Sequence, residues 1–167
     1  LVAAIARGGP VIPVHIRDKS VDDLGAAPKW RLGLAIAHLA SALEEKGSRL
    51  ILRSGDAREV LEKLMRETGA TAVYWTRLYD PQAIDRDRKI KAAFRGTGVE
   101  AKSFESHVMF EPWTVETRTG GYYKVYSPLW KAVKGRDVAS PLPTPGRIPA
   151  PESWPGTEAL SDWQMGR

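Results

Sequence analysis

Leu50-Ile51-Leu52-Arg53-Ser54-Gly55-Asp56-Ala57-Arg58-Glu59-Val60-Leu61 is the stretch that decides the fold, because it joins a strand to a helix through two turn residues. The apolar run at its start predicts a buried strand over Leu50–Ser54. Gly55 and Asp56 turn the chain, and Asp56 followed by Glu59 has the spacing of a helix capping box. A strand that runs directly into a helix is half of a βαβ unit, the building block of parallel sheets.

The same alternation repeats on both sides of this stretch. Strands are predicted at Val11–Ile16, Ala72–Thr76 and Val99–Phe104, and helices at Leu1–Arg7, from Pro28 to Gly47, from Asp56 to Gly69 and from Asp80 to about Arg95. Pro13 removes one ladder donor from the first of these strands, and Arg17–Ala27 is predicted to be a loop. We therefore predict an α/β fold, a Rossmann-like parallel sheet flanked by helices.

The amino-acid composition excludes several kinds of chemistry. The 167 residues fit one domain and contain no cysteine, which excludes disulfides, thiolate catalysis and cysteine-ligated metals. The three histidines lack metal-ligand spacing, and the net charge of +5 is spread along the chain, which favours a solvated basic surface over a nucleic-acid site. With no apolar run of membrane-spanning length and no signal peptide, we expect a cytoplasmic monomer.

The strand and helix patterns end well before the last residue. Residues 1–134 are assigned to one α/β domain, whereas six prolines between Pro141 and Pro155 interrupt a stretch without apolar periodicity. Residues 135–167 are therefore predicted to be an extended, Pro-rich interdomain linker. Four tryptophans also fall late in the chain, at Trp113, Trp130, Trp154 and Trp163. Such rings stack bases or relay electrons in some proteins, but here we expect them to pack against a further domain.

Candidate binding residues follow the predicted third strand, at the edge where open parallel sheets bind ligands. Tyr79 and Gln82 offer an aromatic face and an amide to a planar ligand, or else simply pack and face solvent. Ser54-Gly55-Asp56 resembles a phosphate loop only weakly, and helix capping accounts for Asp56. The neighbouring pair Arg86-Asp87 indicates a salt-bridge network on a helix surface.

Three segments together carry a family resemblance. They are Gly25-Ala26-Ala27-Pro28-Lys29-Trp30-Arg31-Leu32, then Tyr79-Asp80-Pro81 with Arg86-Asp87, and then Gly120-Gly121-Tyr122-Tyr123-Lys124-Val125-Tyr126-Ser127-Pro128-Leu129-Trp130. In this order and spacing they resemble the N-terminal α/β antenna domain of the DNA photolyase/cryptochrome family. The resemblance implies a piece of a flavoprotein lyase for light-dependent DNA repair, in which photoexcited FAD in a C-terminal domain splits cyclobutane pyrimidine dimers in damaged DNA. It implies that the chain is not catalytic by itself and that the missing C-terminal FAD domain is its partner.

The resemblance also assigns the antenna contacts. In folate-binding members a histidine and an Asn-Glu pair contact the chromophore, and the matching positions here are Leu24, Gln82 and Ala83, beside Tyr79. Gln82 can replace the amide, but Leu24 and Ala83 cannot replace a histidine or a carboxylate. The antenna chromophore is thus of unknown type: folate is disfavoured, and a deazaflavin, a flavin or no antenna remain as alternatives.

Family members open with a strand of the type Trp-Phe-Arg-Arg-Asp-Leu-Arg, whereas this chain starts at Leu1 inside a helix pattern. The family sheet order is three-two-one-four-five, so the resemblance implies that the first, central strand is missing. We expect two pairs of strands with a gap between them, poor folding of the isolated chain, and an FAD domain following Trp163. Two rival functions are a cryptochrome-type blue-light photoreceptor and a universal-stress-type nucleotide-binding module. The latter requires a glycine-rich phosphate loop, which we do not find.

Overall fold

The computed structural model describes residues 1–105 and 107–166. Its helices are α1 (Val2–Ala6), α2 (Lys19–Asp22), α3 (Ala26–Glu44), α4 (Ala57–Thr68), α5 (Pro81–Phe94) and α6 (Tyr126–Val133). Its strands are β1 (Val14–Arg17), β2 (Ile51–Ser54), β3 (Ala72–Thr76) and β4 (Glu100–Phe104). Single turns of 3-10 helix form at Pro112–Thr114 and Leu160–Trp163.

Local capping fixes the start of the two helices that follow β2 and β3. The Asp56 carboxylate accepts hydrogen bonds from the Arg58 and Glu59 backbone N–H groups at 3.0 and 3.1 Å, as its spacing predicts. The Asp80 carboxylate does the same for α5, accepting from the Ala83 N–H at 2.8 Å. Gly69, with a φ of +65°, ends α4 in the left-handed conformation that glycine adopts without strain.

All strand pairs are parallel, which confirms the α/β class. β1 pairs with β2, and β3 pairs with β4, so the described residues form two separate two-stranded sheets. This arrangement is consistent with the expected gap at the position of a central strand.

The backbone pattern shows which edges face that gap. The Ile51 N–H donates to the Pro13 carbonyl at 2.9 Å and the Gly55 N–H to the Arg17 carbonyl at 3.0 Å, so these positions face β2. Because successive residues of a strand point to opposite edges, Val14 and Ile16 turn their backbone groups away from β2.

On β3 the same reasoning applies. The Glu100 N–H donates to the Thr71 carbonyl at 2.9 Å and the Arg77 N–H to the Phe104 carbonyl at 2.8 Å. Ala72, Tyr74 and Thr76 therefore turn away from β4. Every residue of β1 and nearly every residue of β3 is half-exposed, unlike the usual strands of a parallel sheet covered on both faces.

One hydrophobic layer spans both strand pairs. Ile16 of β1 and Val73 and Trp75 of β3 pack against the same buried cluster. That cluster consists of Ala57 and Leu61 of α4 with Ile90 and Phe94 of α5. The two pairs thus lie under a common helical layer.

The Pro-rich end of the chain contributes side chains to a second hydrophobic cluster. Ile148, Trp163 and Met165 are buried in a cluster with Ile36 and Leu43 of α3 and with Leu50 and Leu52 near β2. The expectation that Trp163 packs against a further domain is wrong, because its side chain, 4% exposed, is buried within this chain. We call residues 146–166 the C-terminal strap. Its role as an interdomain linker stays a prediction.

Hydrogen bonds tie the strap along the outer edge of β2. The Leu52 N–H donates to the Thr157 hydroxyl at 2.9 Å, and the Glu158 N–H donates to the Leu52 carbonyl at 3.0 Å. Near its end the strap lies so close to α3 that a Cβ added at Gly33 would lie 2.8 Å from the Cβ of Met165. The strap therefore covers an edge strand that would otherwise expose its backbone groups.

Three predicted boundaries need correction. Val11–Pro13 lies outside β1, because the Val11 N–H donates to the Pro149 carbonyl of the strap at 2.8 Å. The predicted loop Arg17–Ala27 contains the short helix α2, which buries Val21 and is capped by the Asp18 carboxylate. Helix α3 begins two residues before Pro28, at Ala26, since the first helical turn tolerates a residue without an N–H.

Candidate functional site

A cavity of about 290 Å³ opens at the carboxyl edge of the strands, where open parallel sheets bind their ligands. It lies between the residue after β1, the start of α4 and the start of α5. It is lined by Asp18, Lys19, Ser20, Asp56, Ala57, Arg58, Leu78, Asp80, Gln82, Ala83, Asp85, Arg86 and Lys89. A shallower depression beside it is lined by residues around Arg17 and Ser54. The cavity is therefore built from loops that three strands position.

Charge in the cavity is balanced. Two helix N-termini, those of α4 and α5, reach its wall, and the positive ends of their dipoles favour anions. Asp56 and Asp80 already cap these two helices, however, so each dipole faces a carboxylate of this chain. Four cationic side chains and four carboxylates share the lining, the cations being Lys19, Arg58, Arg86 and Lys89. A ligand with both polar and anionic groups suits such a wall better than a purely apolar one.

A chain of hydrogen bonds connects the cavity to the core. Arg86 lies 3.5 Å from the Asp18 carboxylate and 3.1 Å from that of Asp87. The second Asp87 oxygen accepts from the Trp75 indole N–H at 2.7 Å. Burial raises the pKa of Asp18, but hydrogen bonds from Ser20 and the Arg86 guanidinium outweigh burial and leave that pKa below its ordinary value. The predicted Arg86–Asp87 pair thus exists, but Asp87 is buried and not on the helix surface.

The structure separates the four predicted chromophore contacts. Gln82 and Ala83 line the cavity, Ala83 as a buried residue in the first turn of α5. Leu24 lies in the turn after α2, is 38% exposed and is not part of the lining. Tyr79 is also outside the lining, so the structure brings together only two of the four residues.

Tyr79 instead belongs to a buried polar cluster above β3 and β4. Its hydroxyl donates to the Glu111 carboxylate at 2.9 Å, and Glu111 also pairs with Arg77. The tyrosine hydroxyl is partly desolvated and is bonded to a carboxylate, and both effects raise the pKa of Tyr79. The Arg77 guanidinium also lies 5.1 Å from the centre of the Trp113 ring. Tyr79 and Arg77 therefore connect the segment after β3 to Glu111 and Trp113.

Sequence reasoning missed Glu158, which closes the carboxyl end of β2. Its carboxylate accepts from the Ser54 backbone N–H at 2.8 Å, from the Ser54 hydroxyl at 2.6 Å and from the Trp163 indole at 2.6 Å. Burial raises the pKa of Glu158, but these hydrogen bonds outweigh it and leave the pKa lowered. No local signal marks a contact between residues 104 positions apart.

Residues 1–105 and 107–166 contain neither a metal-binding cluster nor a membrane-spanning helix. No group of three or more His, Asp or Glu side chains is placed to hold a metal ion in that part of the chain. No helix within the same ranges has the length and apolarity needed to cross a membrane.

Comparison with known proteins identifies the class. The sequence profile of the DNA photolyase family matches residues 1–147, and the chain belongs to this family. A deoxyribodipyrimidine photo-lyase of Agrobacterium fabrum is 44% identical over 99% of the chain, and Cryptochrome-1 of Arabidopsis thaliana is 30% identical over 88% of it. These matches cover 35% and 22% of the two relatives, so the chain spans about a third of the length of the first.

Solved structures agree with the family. The crystal structure of a class III photolyase from Agrobacterium tumefaciens matches with a TM-score of 0.94 at 44% identity, over 98% of this chain and 34% of that one. A Sulfolobus tokodaii photolyase described as holding two FAD molecules matches at 21% identity with a TM-score of 0.75, which shows the fold alone. The predicted resemblance and fold class are confirmed, and the matched region is the N-terminal domain of these photolyases.

Members of this family bind flavin or other chromophores. The cavity fits part of such a group: Gln82 offers an amide, and the four cations, each paired with a carboxylate of this chain, have N–H donors for phosphate or carboxylate oxygens. Ligand pockets of drug size usually occupy about 300–1,000 Å³ and present apolar or aromatic walls. None of the described lining residues is aromatic. The lining therefore fits the polar portion of a chromophore, but Leu24 and Ala83 do not supply the histidine and the carboxylate that the resemblance implies at their positions for a folate.

Proposed function

We propose that this chain is the antenna-chromophore-binding domain of a deoxyribodipyrimidine photolyase, a light-driven enzyme that repairs cyclobutane pyrimidine dimers in DNA. The observation that carries the proposal is the 44% identity over 99% of the chain to a named deoxyribodipyrimidine photo-lyase. A TM-score of 0.94 to a class III photolyase supports it. The complete protein is a cytoplasmic monomer in this account.

Catalysis is assigned to the rest of the polypeptide. Splitting the dimer requires an electron donor, which we assign to FAD bound by the remaining two thirds, together with the contacts to damaged DNA. The chain described here collects light and passes the energy to that flavin. It is not catalytic by itself, and its partner is the FAD domain of the same polypeptide.

The cavity at the carboxyl edge of the strands is the proposed binding site of the antenna chromophore. Gln82 holds a polar ring edge, while Arg58 and Lys89 receive phosphate or carboxylate groups, as in a deazaflavin or flavin nucleotide. A folate is disfavoured because Ala83 and Leu24 offer no charged or hydrogen-bonding side chain. Gln82→Ala should reduce the chromophore that co-purifies with the complete protein, whereas Leu24→Ala, outside the cavity, should not. Equal loss in both variants would refute this placement.

A cryptochrome-type photoreceptor is the second candidate, supported by the 30% identity to Cryptochrome-1 of Arabidopsis thaliana. The decisive experiment expresses the complete reading frame that contains this chain and measures splitting of cyclobutane dimers in light and in darkness. Light-dependent splitting is the result we expect. A purified flavoprotein that absorbs blue light without splitting dimers would favour the photoreceptor and would refute the photolyase proposal.

A further inference from the structure

Helix α6 is amphipathic, with one apolar stripe. At 100° per residue, Tyr126, Leu129, Trp130 and Val133 fall within a sector of about 100°. Lys134 and Ser127 flank it on one side and Ala132 on the other, while Lys131 lies nearly opposite its centre. The stripe has the pattern of a helix that packs against a hydrophobic surface.

The described residues cover only part of this stripe: Leu129 and Val133 are half-buried, whereas Tyr126 and Trp130 are exposed. No residue of α6 is buried, and Tyr126 and Trp130 are 71% and 50% exposed. Their rings stack on each other, with centroids 6.4 Å apart and planes 8° apart. Val125 and Tyr122, just before the helix, are also exposed. Together these side chains form a contiguous apolar surface of the kind that marks interaction sites.

A helix of 8 residues is too short to be stable in water without tertiary packing of its apolar face. The polar anchor of α6 comes after its end, where Arg136 donates to the Thr114 carbonyl at 3.0 Å and lies 4.4 Å from the centre of the Phe110 ring. This anchor fixes the position of α6 but does not cover its stripe.

We propose that the α6 stripe, Tyr126, Leu129, Trp130 and Val133, docks into an apolar groove on the part of the polypeptide outside this chain. The inference rests on the proposed function, which places the FAD domain there. The chain covers only 34% of the Agrobacterium photolyase that it matches with a TM-score of 0.94, so a large surface in the same polypeptide is available. Lys134, beside the stripe, suits a groove with an acidic rim.

A second copy of this chain is the weaker occupant. The three aromatic rings of this surface are 50–75% exposed and supply at most about 500 Å² of contact, whereas a stable dimer buries about 800 Å² per partner. Covalent connection to the rest of the polypeptide, in contrast, raises the local concentration of the two surfaces to about the millimolar range. A small apolar stripe is therefore sufficient for docking within one polypeptide and insufficient for a stable dimer of two.

The test uses the complete flavin-bound protein with Trp130→Asp, and with Ala132→Asp as the matched control at an exposed position of α6 outside the stripe. Amide hydrogen exchange over residues 126–133 and the temperature of flavin release are measured in each. Trp130→Asp should exchange these amides at least about tenfold faster and release flavin at least about 5 °C lower. Ala132→Asp should match the parent protein, and Trp130→Phe should retain protection within about threefold.

Three results would overturn the docking proposal. In the first, α6 amides exchange equally fast in the parent protein and in Trp130→Asp. In the second, protection of the β2 amides is lost together with that of α6. In the third, the parent protein is a dimer by light scattering and Trp130→Asp makes it a monomer without changing flavin release. Hydrogen exchange does not depend on DNA repair, so a protected α6 in a protein that repairs nothing would refute the proposed function and leave the docking intact.

Discussion

Restoring a strand between β1 and β3 should convert a poorly folding chain into a stable domain. The perturbation is an N-terminal extension: the segment that precedes the matched region in the Agrobacterium photolyase, fused in register before Leu1. Its strand is expected to run parallel to β1 and β3, between the edges that carry Val14 and Ile16 on one side and Tyr74 on the other. A Gly/Ser extension of equal length is the control.

The magnitude follows from the open edges. Five residues, Val14, Ile16, Ala72, Tyr74 and Thr76, each direct one N–H and one C=O at the gap, so a five-residue strand would form about eight ladder bonds of about 1 kcal/mol each. Burying about three apolar side chains adds about 2 kcal/mol each, and ordering five residues costs about 1.5 kcal/mol each. The net gain is about 6 kcal/mol, comparable with the about 5–15 kcal/mol that stabilise a whole domain.

The assay is thermal unfolding followed by circular dichroism. For a domain of this size about 1 kcal/mol moves the Tm by about 2–4 °C, so the strand extension should raise the Tm by about 12–24 °C over the Gly/Ser control. The unextended chain should melt broadly and at low temperature. A sharp cooperative transition of the unextended chain above about 50 °C, or equal Tm values for the two extensions, would refute the reasoning.

Three further predictions are best measured in the strand-extended chain. Trp163→Ala should lower stability in urea unfolding by about 3–5 kcal/mol, because it opens a cavity in the strap cluster; a change below about 1 kcal/mol would show that the strap is not part of the core. Asp80→Ala should cost about 1 kcal/mol through the lost α5 cap, whereas Asp80→Asn should cost much less, and equal losses would contradict capping. Burial lowers the pKa of His15, with Asp18 opposing the change, so the folded protein holds the neutral imidazole better than the unfolded chain does. The stability that the neutral imidazole contributes is therefore fully present above the ordinary histidine pKa and declines as the pH falls below that value. In His15→Gln this decline in the free energy of unfolding between about pH 7 and 5 should disappear. An unchanged pH profile would contradict the role of His15.

Sequence patterns predicted the elements whose signals are local. Strand Ala72–Thr76 and the start of the next helix were predicted correctly, because a continuous apolar and aromatic run, an Asp cap and a Pro at the first helical position all lie within ten residues. The parallel pairing followed from the strand–helix rhythm and is confirmed.

Long-range contacts account for what could not be predicted. The strap has no periodicity, so nothing in its sequence indicated that Ile148 is 1% exposed or that Thr157 binds Leu52 across 105 positions. At the candidate site, Gln82 was placed correctly at the carboxyl edge because the edge follows from topology. Tyr79 lies at another part of that edge, because its hydroxyl donates to Glu111, 32 positions away, and its role in chromophore binding stays a prediction.

The DNA sequence on both sides of the reading frame decides whether this chain is one domain of a photolyase. We expect in-frame codons for a strand of the Trp-Phe-Arg-Arg-Asp-Leu-Arg type upstream and for a helical flavin-binding domain downstream. Stop codons or frameshifts adjoining both ends would contradict it, because the chain would then have neither the strand that fills its sheet nor the domain that performs the repair.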